Sequence, residues 1–175
     1  MRALANIGEY LSPAVPEICN YWLAKVDGRS APTRAEIDPL EMPKGVLPHI
    51  LLVDLERQTR QISFRLVGTH VAHMYGSNFT GASIDEIILP HGLTEALREL
   101  YGSTMDLGEP IVGHYGYPMR NGRQALSEFA LLPLQSHGAV TQCLAVEHLG
   151  ALGGVDPEDL ISLRRVSAPA IARPQ

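Results

Sequence analysis

The chain has 175 residues, 45% of them hydrophobic, and a formal net charge of −5 at pH 7. This length and apolar content indicate one globular domain with extensions, large enough to bury a core. The acidic balance, without a run of basic residues, argues against nucleic-acid binding, and no apolar stretch approaches the roughly 20 residues of a membrane span.

Cys19 and Cys143 are the two cysteines, and they lie far apart in apolar contexts. Such cysteines are typical of buried thiols in a reducing compartment rather than of a disulfide framework. The N-terminus also lacks the sustained apolar run of a secretion signal. We therefore expect a cytoplasmic protein that is not attached to a membrane.

The first predicted element is an amphipathic helix from Pro16 to Val26, in which Ile18, Trp22 and Val26 recur at helical spacing. The chain that follows is irregular and punctuated by prolines. We assign residues 1–47 to an N-terminal helical extension.

Two strands are predicted next, joined by a polar segment. Ile50 to Val53 is a continuous apolar run, and Ile62 to Val67 alternates between apolar and polar residues. Because side chains alternate across a strand, Phe64 and Leu66 are expected to share the core face. The two strands are expected to form a hairpin.

The second strand is predicted to run directly into a short helix. Gly68 permits a tight exit, Thr69 can cap the first helical amides, and Gly76 can end the helix in a left-handed conformation. His70 and His73 are therefore expected to begin the wall of a ligand pocket.

A longer helix and three strands complete the predicted core, residues 48–150. Leu93, Leu97 and Leu100 recur at helical spacing. Strands are predicted over Ile111 to Tyr117, Ala125 to Leu134 and Val140 to His148, with a hairpin turn at Asn121-Gly122. This order predicts an α+β fold, an antiparallel five-stranded sheet with helices on one face.

Residues 151–175 are assigned to a C-terminal helix and tail. Asp156-Pro157 is typical of a helix start, and the adjacent Arg164 and Arg165 suit the negative end of a helix.

Several short motifs resemble a known family. They are Tyr21-Trp22 with Gly28-Arg29, Pro32 to Pro39, Leu47-Pro48-His49, Phe64 to Thr69, Thr80-Gly81 and Leu131 to Leu134. From Tyr21 to about His148 the chain resembles small stand-alone bacterial PAS proteins, often described as the fifth PAS family. The resemblance implies a PAS fold and a signalling or regulatory role, and it carries over no catalytic site.

The pocket of such a domain would lie on one side of the sheet, within the hydrophobic core. Its predicted lining comprises Phe64, Leu66, His70, His73, Met74, Phe79, Leu97, Leu100, Tyr115, Phe129 and Leu131. A small apolar or amphipathic ligand with a few polar anchors would suit it.

Cofactors can be weighed against the residues that would hold them. A photoreactive flavin needs a cysteine near its ring, and the segment from Gly76 to Gly81 has none. Haem needs an axial histidine, for which His70, His73 and His91 are the candidates, but a histidine alone does not indicate haem. His70 and His73 also have the spacing of a metal-binding pair, yet no third ligand is expected nearby, so no metal site is predicted.

The other face of the sheet must also be covered, because both sides of the last predicted strand are apolar. The first helix can fold back on that face, or an identical subunit can cover it. In the second case Ile18, Trp22 and Val26 would lie in the subunit interface, and we expect a homodimer.

Three functions compete at this stage. The first is a single-domain PAS sensor that binds a small molecule or a partner protein and signals in trans. The second is a ligand-free adaptor module with a filled core. The third is a small pocket enzyme using a pair such as His73 and Asp85 as acid and base. The first leads, and no enzymatic activity is expected.

Overall fold

The computed structural model describes residues 12–89, 92–118, 124–151 and 162–165. Helices α1, α2 and α3 span Ala14–Val26, Thr69–Tyr75 and Leu93–Leu107, and 3₁₀ turns cover Arg34–Glu36, Leu47–His49 and Ile84–Glu86. Strands β1 to β6 span Ile50–Leu55, Ile62–Val67, Ile111–Pro118, Gln124–Ser136, Ala139–Ala151 and Ser162–Arg165. Within these described residues, no helix is long and apolar enough to cross a membrane.

All strands pair antiparallel in one sheet, in the order β2-β1-β5-β4-β3-β6. The predicted α+β fold is confirmed, with two strands, a helical block and three further strands in chain order. Strand β5 lies between β1 and β4, so the first hairpin sits directly beside the last strand of the predicted core.

The predicted C-terminal helix is wrong in the part that the structure describes. Arg164 and Arg165 lie in the four-residue strand β6, which adds a sixth strand beside β3. The unpaired backbone groups of an open β3 edge favour an added strand over a local helix. Asp156-Pro157, Asn121-Gly122 and His91 lie outside the described residues.

Helices cover both faces of the sheet. The first face packs against α2, α3 and the Ile84–Glu86 turn, around a core that includes Phe64, Phe79, Tyr101 and Phe129. The opposite face packs against α1, so the N-terminal helix folds back on its own sheet.

Trp22 anchors α1 to the sheet. Its side chain has no exposed surface, and its indole Nε1 donates a hydrogen bond of 2.9 Å to the carbonyl of Pro133 in β4. Ile18 is also fully buried, and Val26 is 9% exposed, in the same cluster. The assignment of these three side chains to a dimer interface is therefore corrected, because they contact their own chain.

A β-bulge breaks the predicted alternation in β2. Leu52 of β1 pairs with Leu66, but the next residue, Val53, pairs with Phe64, which leaves Arg65 without an opposite residue. Because one extra residue reverses the faces beyond it, Leu66 is 43% exposed while Val67 enters the core. The placement of Leu66 in the pocket lining is therefore wrong.

The junction between β2 and α2 depends on Gly68. A Cβ atom on Gly68 would lie 2.3 Å from the carbonyl oxygen of Pro48 and 2.9 Å from that of Ile50. Its N–H donates to the same Ile50 oxygen at 2.8 Å. This contact holds the start of α2 against the turn before β1. Thr69 is the first helical residue rather than the cap.

Candidate functional site

The core on the α2/α3 face gathers most of the predicted pocket lining. Six of the predicted residues are buried there, namely Phe64, Phe79, Leu100, Tyr115, Phe129 and Leu131. Met74 and Leu97 are partly buried against the same core. Whether these residues enclose a ligand stays a prediction.

The two predicted histidines do not line this core. His73 is exposed, and His70 is half-buried at the end of the sheet. The reason is the rotation of α2, whose core-facing residue is the fully buried Val71. Because residues three or four apart share a helical face, Met74 and Tyr75 follow Val71 to the core, and His70 and His73 do not.

A buried carboxylate lies on the same core face, at Glu147 of β5. Its Oε1 accepts hydrogen bonds from the hydroxyls of Tyr75 at 2.9 Å, Ser127 at 2.7 Å and Tyr115. The Tyr75 and Tyr115 hydroxyls are also 2.9 Å apart. We call these four residues the Glu147 network. It ties α2 to three consecutive strands of the sheet.

The environment of the network favours the protonated carboxyl. Burial raises the pKa of Glu147, while the hydrogen bonds from Tyr115, Ser127 and Tyr75 partly oppose that shift. Burial also raises the pKa of both tyrosines, followed by the charge of Glu147. The pKa shift of each of these three groups therefore favours its neutral form.

We therefore expect Glu147 to make stability depend on pH. A carboxyl whose pKa is raised in the folded state contributes stability that is fully present below its unfolded pKa, about 4.3, and is lost as the pH rises through the folded-state pKa. In Glu147→Gln, the free energy of unfolding relative to the wild type should increase between pH 4 and pH 8. Urea unfolding at several pH values measures this.

The amide introduced by Glu147→Gln changes the free energy of unfolding by an amount that does not vary with pH. The informative quantity is therefore how that free energy changes with pH. Ser127→Ala is the matched control. It removes one hydrogen-bond donor but keeps the carboxyl, so the wild-type slope should persist. Parallel curves for the wild type and Glu147→Gln would show that Glu147 ionises normally in the folded protein.

Three histidines meet at the end of the sheet where β1 begins and β5 ends. His49 closes the 3₁₀ turn before β1, His70 lies in the first turn of α2, and His148 follows Glu147 in β5. Their ligand nitrogens lie within 4.8 Å of one another. We call them the histidine cluster. The expectation that His70 has no further ligands nearby is therefore wrong.

Sequence reasoning missed both arrangements for different reasons. Glu147 interrupts the buried face of β5 between Ala145 and Leu149, and this polar residue in an apolar alternation was a usable signal. The histidine cluster joins residues 49, 70 and 148, and no local pattern connects positions so far apart.

A family model described as a PAS domain matches residues 11–148. The chain is similar to the Vibrio cholerae VqmA dimer determined without its target DNA, with 14% identity over 62% of this chain and 48% of that chain, TM-score 0.45. It is also similar to the Rhodobacter sphaeroides LOV protein, with 17% identity over 63% of each chain, TM-score 0.45.

A further similar structure is the PAS domain of an HTR-like protein from Haloarcula marismortui, with 18% identity over 57% of this chain and 80% of that chain, TM-score 0.37. The chain spans about half the length of the VqmA chain that it matches. No curated protein matches the sequence.

The family match includes α1, the helical block and strands β1 to β4 with most of β5. It agrees with the resemblance drawn from the sequence motifs, and with the order of strands and helices along the chain. This chain belongs to the PAS domain family.

Proposed function

We propose that this protein is a sensory PAS domain that binds a small molecule on the α2/α3 face of its sheet and passes the signal to a partner protein. In this proposal it acts in the cytoplasm, as a homodimer, and has no catalytic activity. The free, buried thiols Cys19 and Cys143 support a reducing compartment. The subunit interface would lie outside the buried face of α1.

The Glu147 network is the observation that carries the proposal. Burying a carboxyl group costs free energy, and an apolar side chain of similar volume would usually fill the same position at a lower cost. Small-molecule sites instead combine an apolar lining with a few fixed polar groups. Glu147 supplies such groups together with Tyr75, Tyr115 and Ser127. The ring centroid of Phe79 lies 5.6 Å from that of Tyr75, and the ring centroid of Phe129 lies 5.7 Å from that of Tyr115.

The chemistry of the network defines the class of ligand. A carboxyl and three hydroxyls can accept hydrogen bonds from an amine or hydroxyl, and the hydroxyls can also donate. The surrounding aromatic and aliphatic side chains favour an apolar body. We therefore propose a small amphipathic molecule with at least one hydrogen-bond donor, oriented by Glu147.

A ligand-free adaptor is the second candidate. It is supported by the fact that the three donors to Glu147 all come from the chain itself. Buried polar networks of this kind can also serve to fix one packing arrangement. An enzyme using His73 and Asp85 has no comparable support, because His73 is exposed and Asp85 pairs with Arg98 at 2.5 Å.

A thermal-shift screen with small amphipathic amines and alcohols tests the proposal. We expect a subset to raise the melting temperature of the wild type. In Glu147→Gln the affinity for the amines among those compounds should fall by about tenfold or more, because a hydrogen bond in which one group, here the ammonium, is charged contributes about 1.5–3 kcal/mol.

Glu128→Gln is the matched control for the screen. Glu128 is also a buried glutamate, 4% exposed, but it lies on the α1 side of the sheet, where its Oε2 accepts a hydrogen bond from the Ser12 amide at 3.0 Å. Glu128→Gln should show the same increases in melting temperature as the wild type with the same compounds. No response across the library, together with a stable protein partner in a pull-down, would support the adaptor instead.

A further inference from the structure

The histidine cluster is a second feature, separate from the Glu147 network and from the proposed ligand site. The ring centroids are 4.2 Å apart for His49 and His70, 5.0 Å for His49 and His148, and 5.2 Å for His70 and His148. The rings of His70 and His148 are parallel to within 1°. All three side chains are half-buried, so solvent and ions can reach the cluster.

Two ring nitrogens in the cluster are buried and have no hydrogen-bond partner among the described residues. They are Nε2 of His70 and Nδ1 of His148. A buried polar atom left unpaired costs about 1–3 kcal/mol, and folded proteins seldom leave one without a reason. Two such atoms within one cluster point to a missing shared partner that accepts electron pairs from both.

The backbone holds the ring of His49. Its Nδ1 lies 3.3 Å from the carbonyl oxygen of Glu147. Metal-binding histidines typically use their second nitrogen in this way, because the bond fixes the ring orientation and tautomer. With Nδ1 held in this contact, His49 would bind an ion through Nε2.

The rings are also suited to bind as neutral ligands. Burial lowers the pKa of His49, His70 and His148, and the neighbouring histidines lower each pKa further. Neutral imidazole is the form that coordinates a metal, so little proton release opposes binding at pH 7. Within the described residues, no carboxylate belongs to the cluster.

We propose that His49, His70 and His148 form a binding site for one divalent transition metal ion, with Zn²⁺ as the preferred occupant and a fourth position open to water. Three imidazoles suit Zn²⁺, Cu²⁺ or Ni²⁺ rather than Mg²⁺ or Ca²⁺. Zn–N bonds of about 2.1 Å in a tetrahedron place the nitrogens about 3.4 Å apart. The present separations, up to 4.8 Å, require the nitrogens to approach by up to about 1.4 Å, and the stacked rings of His70 and His148 must turn toward the shared ion.

A bound ion would join three segments that are distant in sequence. It would hold the turn before β1, the start of α2 and the end of β5 together, at the contact that Gly68 already makes close. Ion binding should therefore stabilise the folded chain and reduce hydrogen exchange in α2. This inference does not depend on a ligand at Glu147.

The test uses the full chain without an affinity tag, after removal of metals by a chelator. Isothermal titration with Zn²⁺ should show one equivalent bound by the wild type, and Zn²⁺ should raise the melting temperature. His49→Gln, His70→Gln and His148→Gln should each lower the affinity by about 100-fold or more, since even the loss of an outer hydrogen bond costs 10–100-fold. His73→Gln is the matched control, because His73 is exposed on the same helix as His70.

Because three metal-binding histidines are each replaced, the test remains decisive if one variant fails to fold. Circular dichroism of each variant without metal checks that it is folded. Titration with Co²⁺ gives an independent readout, because tetrahedral nitrogen coordination produces intense visible absorption. Failure of the wild type to bind a stoichiometric ion would overturn the proposal. So would equal affinity in the wild type and the three ligand variants, or an equal loss in His73→Gln.

Discussion

The Trp22→Ala variant is expected to lose about 4 kcal/mol of the free energy of unfolding, because deleting a buried aromatic side chain typically costs about 3–5 kcal/mol. Trp22 has no exposed surface, and its indole satisfies the carbonyl of Pro133 at 2.9 Å. The pairing of β4 with β3 ends at Leu131, and Pro133 lies beyond that point. The indole therefore supplies the hydrogen-bond donor that a neighbouring strand would otherwise provide to the Pro133 carbonyl. Urea unfolding followed by circular dichroism measures the loss.

This loss is large beside the total stability of a domain, about 5–15 kcal/mol. Leu40→Ala is the control, because Leu40 is 93% exposed and its truncation should change stability by less than about 0.5 kcal/mol. A loss below about 1 kcal/mol in Trp22→Ala would mean that α1 does not pack on its own sheet. Ile18, Trp22 and Val26 would then again be candidates for a subunit interface.

The Gly68→Ala variant is expected to lose about 3 kcal/mol or more, at or above the upper end of the cost of overpacking. The backbone angles of Gly68 suit any residue, with φ −64° and ψ 151°. The cost comes instead from the methyl group, which would lie 2.3 Å from the oxygen and 2.6 Å from the carbon of the Pro48 carbonyl. Backbone atoms cannot rotate away, so the turn before β1 must separate from β2.

Gly102→Ala is a matched control for this variant. A Cβ atom there would lie 2.7 Å from Nη2 of Arg60, the flexible end of a side chain. The side chain can move, and alanine favours a helix interior by about 1 kcal/mol over glycine. Gly102→Ala should therefore be neutral or stabilising. Equal stability of both variants would show that the contact between Gly68 and Pro48 is not close in solution.

The sequence predicted the elements whose causes are local. Two capping boxes form in the structure, at Thr33–Glu36 and Ser83–Glu86, and the three-residue spacing of their partners is visible in the sequence. Helix α2 ends at Gly76 in the left-handed conformation, as the short motif indicated. The order of strands and helices along the chain, from β1 to β5, followed from the succession of apolar runs and turns.

The errors in the fold arise where a distant segment decides the outcome. The bulge at Arg65 appears only when β2 pairs with β1, and it moves Leu66 out of the core. Arg164 and Arg165 join a strand because β3 offers them an edge. Neither outcome is visible in a local window of sequence.

The candidate site was predicted only in part. The apolar lining followed from strand alternation, and Tyr115 was included in it. Its polar partner Glu147 was missed, although a charged residue on an apolar face was a readable signal. The histidine cluster required contacts across about a hundred residues, which only the folded chain supplies.

Native mass spectrometry of freshly purified wild-type protein tests the central claim, that the Glu147 face of this PAS domain binds a small molecule. We expect a species heavier than the 19.1 kDa chain by the mass of an organic molecule, released on denaturation and reduced in Glu147→Gln. An added mass equal to that of a metal ion would support binding at the histidine cluster and would not support a small molecule at the Glu147 face. Bare chain mass in the wild type and the variant, with no binding by any added compound, would contradict the claim.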